Sequence, residues 1–152
     1  MKEIKAPNKY DKEQRPFVFL AGSIEMGAAI DWQKDVVKRL KKEGGTILNP
    51  RRNDWNKSWE QSVDNPKFKR QVEWELDGLD TADYILMYFD PKTKSPISLL
   101  ELGLFHDKNI IVCCPDGFWR KGNVQIVCEK FGIYLVDNID ELMDEFDVQL
   151  NY

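Results

Sequence analysis

The chain has 152 residues, a length that predicts one domain with its own core and no dependence on disulfide or metal staples. Its 26 acidic residues outnumber 22 basic ones, for a formal charge of -4, which argues against a nucleic-acid polymer as partner; Arg51-Arg52 and Lys67-Lys69-Arg70 are basic only locally. The polar start has no signal-peptide core, no apolar run approaches membrane-spanning length, and three cysteines (Cys113, Cys114, Cys128) make no disulfide framework, so the expectation is a cytoplasmic protein without membrane association.

Residues 1–16 read as a polar N-terminal extension, frayed or draped on the surface, and 17–152 as the single domain. Phe17 to Ala21 is a short, almost wholly apolar strand that turns at Gly22-Ser23. Asp31 is placed to cap a helix with Trp32, Val36, Val37 and Leu40 at near-helical spacing, and Gly44-Gly45 stops it. Thr46 to Leu48 is the next strand. A polar and aromatic excursion, Arg51 to Pro66, carries Trp55 and Trp59 and leads into a helix over 68–79 with Val72, Leu76 and Leu79 on one side. Tyr84 to Phe89 is apolar on both faces and is the clearest central strand. A helix from Ser98 to His106, a strand from Asn109 to Cys114, a helix over 119–131 closed by Gly132, a strand over 133–136 and an acidic last helix complete the pattern. This alternation predicts an α/β, three-layer, flavodoxin-like (Rossmann-like) domain with a five-stranded, mostly parallel sheet.

Gly22-Ser23-Ile24-Glu25-Met26-Gly27 follows the first strand, where phosphate-binding loops often lie. It lacks both the three-glycine dinucleotide pattern and the lysine of a P-loop. Its amides still suit an anion or a sugar hydroxyl. No metal-ligand cluster is present in the sequence, and His106, the single histidine, reads as helix-end structure. Neither a metal nor a cofactor is expected.

Carboxylates are therefore the groups to weigh. Glu101 stands among Leu99, Leu100, Leu102 and Leu104, just after a strand, a loop and the start of a helix. That position is the carboxyl edge of a parallel sheet, and a carboxylate in apolar surroundings is costly unless it is paired, protonated or employed. Asp90 closes the central strand at the same edge, whereas Asp83 opens it about 20 Å away. Asp77 falls near the end of a helix running antiparallel to that strand, so periodicity alone makes it structural. Two carboxyl groups without a metal suit chemistry at an anomeric carbon, where one captures an oxocarbenium-like centre and the other exchanges a proton with the leaving group. Arg51 and Arg52 follow a strand end, placed either to bind a negative group or to orient the long loop. Trp119 and Arg120 are suited to stack on a base or pair with an anion, and equally to a surface or interface role.

Phe19-Leu20-Ala21-Gly22-Ser23-Ile24, Asp31-Trp32-Gln33, Asn49-Pro50-Arg51-Arg52, Gln71 to Asp77, Ala82-Asp83 and Ser95 to Gly103, in that order, resemble the nucleoside 2-deoxyribosyltransferase-like proteins. The resemblance implies transfer of a deoxyribosyl group from a 2'-deoxynucleoside to another base through a covalent glycosyl-glutamate. It implies Glu101 as nucleophile, Asp77 beside the nucleobase as proton shuttle, and Gly22 and Ser23 lining the pocket. It further implies a homo-oligomer in which a neighbouring subunit completes the pocket, with Asn123 matching the asparagine supplied. Where the family pattern has a carboxylate for the sugar 5'-hydroxyl, six positions before the nucleophile, this chain has Ser95, a neutral group that admits a 5'-phosphate without like-charge repulsion. The partners implied are a small-molecule nucleoside or nucleotide and a free nucleobase. Hydrolysis of 2'-deoxynucleoside 5'-monophosphates and a noncatalytic nucleotide-binding module are the alternative readings.

Overall fold

Strands and helices alternate along almost the whole chain. The computed structural model describes residues 1–152, the side chain of Met26 excepted. In order they are β1 (Lys2–Lys5), β2 (Phe17–Gly22), α1 (Trp32–Arg39), β3 (Thr46–Asn49), α2 (Pro66–Thr81), β4 (Tyr84–Tyr88), α3 (Pro96–Leu104), β5 (Ile110–Cys113), α4 (Lys121–Phe131), β6 (Tyr134–Val136) and α5 (Ile139–Leu150). The sheet order is β1-β3-β2-β4-β5-β6, and every pairing is parallel.

Without β1, this is the flavodoxin-like strand order expected from the sequence. The sheet has six strands rather than five, and it is parallel throughout. The added strand, Lys2–Lys5, lies in the stretch expected to be a frayed extension. An edge strand needs a hydrogen-bonding partner on one side only, so a sequence as polar as Lys-Glu-Ile-Lys can serve. Ile4 packs against the core, Met1 and Ala6 are buried, and Glu3 accepts a 2.8 Å hydrogen bond from the Asn49 amide.

Local chemistry sets the helix ends. Asp31 caps α1 by accepting from the Lys34 amide, Asn65 caps α2 ahead of Pro66, and Asn138 caps α5 by accepting from Glu141. Apolar side chains on both sheet faces then define two half-cores. Trp32, Val36, Leu40, Leu142 and Phe146 bring α1 and α5 to one face. Trp74, Leu79, Leu102, Val124 and Cys128 bring α2, α3 and α4 to the other. The three cysteines are free and buried, and burial pushes the Cys113 thiol up to about 12. Among the described residues, no helix is long and apolar enough to cross a membrane.

The connections of β2 and β4 leave in opposite directions, so a crevice opens between their carboxyl ends. Gly22 is paired with Tyr88 there, at a φ of +125°, and a Cβ on it would stand 2.2 Å from the Tyr88 carbonyl oxygen. Gly22→Ala combines left-handed strain with a backbone clash, and is expected to cost about 2–5 kcal/mol, read as a lowered midpoint in urea unfolding.

Candidate active site

The floor of the crevice is a knot of buried hydroxyls. Ser23, immediately after Gly22, donates its amide to the Tyr88 carbonyl at 2.8 Å, and its Oγ accepts from the Asp90 amide at 2.8 Å. That Oγ lies 3.0 Å from Thr93 Oγ1 and 2.6 Å from Ser95 Oγ, and the last two are 2.8 Å apart. All three residues are buried. Asp90 is buried too, and its two carboxylate oxygens accept from the Ile30 and Lys92 amides. Glu25 reaches across to accept from the Lys94 and Ser95 amides, so the loop after β2 is tied to the loop after β4. Met26 belongs to the first of these loops, and its side chain lies outside the described residues.

Two carboxyl groups meet between the neighbouring helices α2 and α3. Glu101 is 9% exposed; burial, together with the charge of Glu75, pushes its carboxyl up to about 8. Glu75 is partly exposed, and burial raises its carboxyl to about 7 against the lowering effect of a hydrogen bond from Gln71. Like charges in a dry setting resist joint ionisation, so the pair retains a proton near neutral pH. In its singly protonated form it offers one carboxylate nucleophile and one carboxylic acid. Among the described residues, no three His, Cys, Asp or Glu side chains converge as a metal-binding group.

Glu75 reaches this position through the placement of α2. Gln71 Nε2 donates to the Pro50 carbonyl at 3.1 Å, which levels Gln71 with the carboxyl end of β3. Glu75 follows one turn later, about 6 Å further along the helix. Gly78 lets α2 sit close to the sheet, since a Cβ there would stand 2.8 Å from the Phe19 ring.

The expected site residues divide. Gly22, Ser23 and Ser95 gather at the crevice, with Ser95 buried and its hydroxyl held by Ser23 and Thr93, and Glu101 follows six residues later on α3, buried and facing Glu75. Asp77 does not join them. It is exposed, two residues or about 200° around α2 from Glu75, and it lines a separate groove with Pro7, Tyr10, Trp74 and Asp80. Of the two arginines, Arg51 orients a loop, donating to the Ile30 and Ala29 carbonyls at 2.8 Å each and to Gln33. Arg52 pairs with Asp54, packs over Trp59 and donates to Gln71. Trp119 is 47% exposed and bonds the Lys94 carbonyl, with Lys94 Nζ and the Arg120 guanidinium each 4.4 Å from its ring centre. Asn123 is exposed on α4, whose cap residue is Arg120. His106 bonds the Gly103 carbonyl and stacks on Phe131, a helix-end role.

The family model described as nucleoside 2-deoxyribosyltransferase like matches residues 15–118, a span holding β2 through β5 and both carboxyl groups of the pair. The chain belongs to this family. No curated protein matched the sequence. The family's match thus takes in the whole switch-point crevice, and leaves β1, α4, β6 and α5 outside it.

The raised carboxyl values have a consequence for stability. The folded protein holds protons that an unfolded chain releases above its ordinary value of 4.5, so stability falls as pH rises from there toward about 8. Glu101→Gln removes this penalty. Its melting temperature is expected to match the parent's near pH 5 and to exceed it near pH 8.5, by about 2–4 °C for each kcal/mol regained. Thermal melts at the two pH values check this, and an equal difference at both would contradict a buried, proton-holding Glu101.

Proposed function

We propose that the protein cleaves the N-glycosidic bond of a 2'-deoxynucleoside and transfers the deoxyribosyl group to another nucleobase. The observation that carries this reading is the Glu75–Glu101 pair between α2 and α3 of a family member. In this mechanism the proton of the pair, which rests on Glu101 in the free protein, passes to Glu75 when substrate is bound; Glu101, now ionised, attacks C1' and forms a glycosyl ester, while Glu75 gives the proton to the departing base. The acceptor base then attacks C1', releases the Glu101 carboxylate and returns a proton to Glu75. The burial of Glu101, 9% exposed, keeps most water from its carboxyl and strengthens its attraction for the oxocarbenium-like centre. Glu75 takes the proton role that the family resemblance gave to Asp77, because it shares the Glu101 environment and Asp77 does not.

A second reading, hydrolysis of 2'-deoxynucleoside 5'-monophosphates, draws on the neutral Ser95 and on the two cations, Lys94 and Arg120, beside Trp119. Water would then replace the acceptor base at C1'. Chromatography of mixtures with 2'-deoxynucleosides or their 5'-monophosphates, with and without a second free base, separates the readings. A product carrying the second base is the expected result. Free base plus deoxyribose or its phosphate, indifferent to acceptor, would instead make the protein a glycosidase. Glu101→Gln is expected to lose at least about a thousandfold in turnover and Asp77→Asn less than about threefold. Near-parent turnover by Glu101→Gln would sink the mechanism.

A second copy of the chain is the proposed occupant of the outer face of α3. Ile97, Leu100 and Leu104 recur there at helical spacing, 60%, 57% and 55% exposed, and none of the exposed residues of α3 is charged. A two-fold axis would set this stripe against itself, on the same helix that carries Glu101. Light scattering should find a dimer or larger assembly that Leu100→Glu disperses; a monomeric parent would refute the assembly.

A further inference from the structure

Gln71 is 4% exposed, and all its polar groups are committed. Its Oε1 accepts from Arg52 Nη1 at 3.3 Å, which fixes the amide's orientation and turns its N–H groups the other way. Nε2 then donates to the Pro50 carbonyl at 3.1 Å and to Glu75 Oε1 at 3.2 Å. Arg52 is itself held by a bidentate contact with Asp54, at 2.7 and 2.8 Å, and lies over the Trp59 ring. A continuous chain of donors therefore runs from the excursion after β3 to one oxygen of the second carboxyl group.

We infer that Gln71, oriented by Arg52, is a positioning residue that selects the Glu75 oxygen from which the leaving base is protonated. The inference rests on the transfer reading above and adds a part to it. An N–H donor at Oε1 excludes the acid proton from that oxygen, so the proton occupies Oε2. The charged groups facing Glu75 are Glu101 from α3 and, behind Gln71, Arg52 from the loop. Gln71 never touches substrate; it acts through Glu75. Replacing it by an apolar side chain frees the proton to sit on either oxygen, and removes the hydrogen bond that favours the ionised form needed to take a proton back. Trp59 and Arg52 thereby give the loop over 51–65 a direct influence on proton transfer.

The test compares Gln71→Leu with the parent on two kinds of nucleoside. One has a base that must be protonated to leave, such as 2'-deoxyuridine; the other is 7-methyl-2'-deoxyguanosine, whose base already carries a positive charge and departs without a proton. The expected result is a loss of about 10- to 100-fold on the first and less than about threefold on the second. Equal losses on both would reduce Gln71 to a packing role and overturn the inference. Gln71→Glu keeps the shape and the Arg52 contact but, once ionised, resists ionisation of Glu75, so the pH above which activity on the first substrate declines should lie higher than in the parent. Carbon-13 titration of the side-chain carboxyls supplies a readout independent of turnover. The Glu75 transition is expected to move upward in Gln71→Leu, and an unmoved transition overturns the inference. A parent inactive on every nucleoside would refute the transfer reading and, with it, the protonation role inferred for Gln71, whatever the titration shows.

Discussion

The whole crevice depends on how closely the backbone of β2 approaches that of β4 at their carboxyl ends. Gly22 has no side chain to hold the strands apart, and the next residue spends both its amide and its hydroxyl on the partner strand, bonding Tyr88 and Asp90. Once those two bonds form, the loops that follow have little choice. Asp90 turns its carboxylate to the Ile30 and Lys92 amides, Thr93 and Ser95 close on Ser23, and α3 starts from a fixed point. Glu101 is carried into its apolar surroundings by that start. Widening the strand contact by the size of one methyl group would disturb every one of these links.

The cost of burying a second acid beside Glu101 is met by shared protonation and not by a cation. Neither carboxyl has an arginine or lysine as its main perturber; desolvation is the largest influence on each. A salt-bridged pair would be fully ionised and inert as an acid, whereas this one stays poised between two charge states. The nearest arginine, Arg52, is kept one residue away by Gln71 and neutralised by Asp54.

The strands that position the crevice were legible because β2 and β4 are covered on both faces and so are apolar at nearly every residue. Glu101 was legible for the opposite reason, an acid set among leucines. Glu75 was not, and the cause is the phase of α2. Val72, Leu76 and Leu79 suggest one inward stripe, yet the buried residues are Gln71, Trp74, Gly78 and Leu79, and Leu76 is 40% exposed. A glutamine and a glycine do the packing that apolar side chains were expected to do, which rotates the helix and brings Glu75, not Asp77, toward α3. Periodicity read without a partner surface could not register that rotation. The knot of Ser23, Thr93 and Ser95 was equally hidden, because its members are about 70 residues apart and only the strand pairing joins them. β1 escaped notice because an edge strand carries so little apolar signal.

The shared proton of the carboxyl pair has one more consequence for transfer. In the proposed transfer the acid given to the departing base is recovered from the incoming one, so the protein would end each exchange in the charge state in which it began. Bulk water need never enter the bookkeeping. Such an exchange would be acid-neutral overall, the hydrogen taken from one acceptor base serving the next donor base by way of a single glutamate.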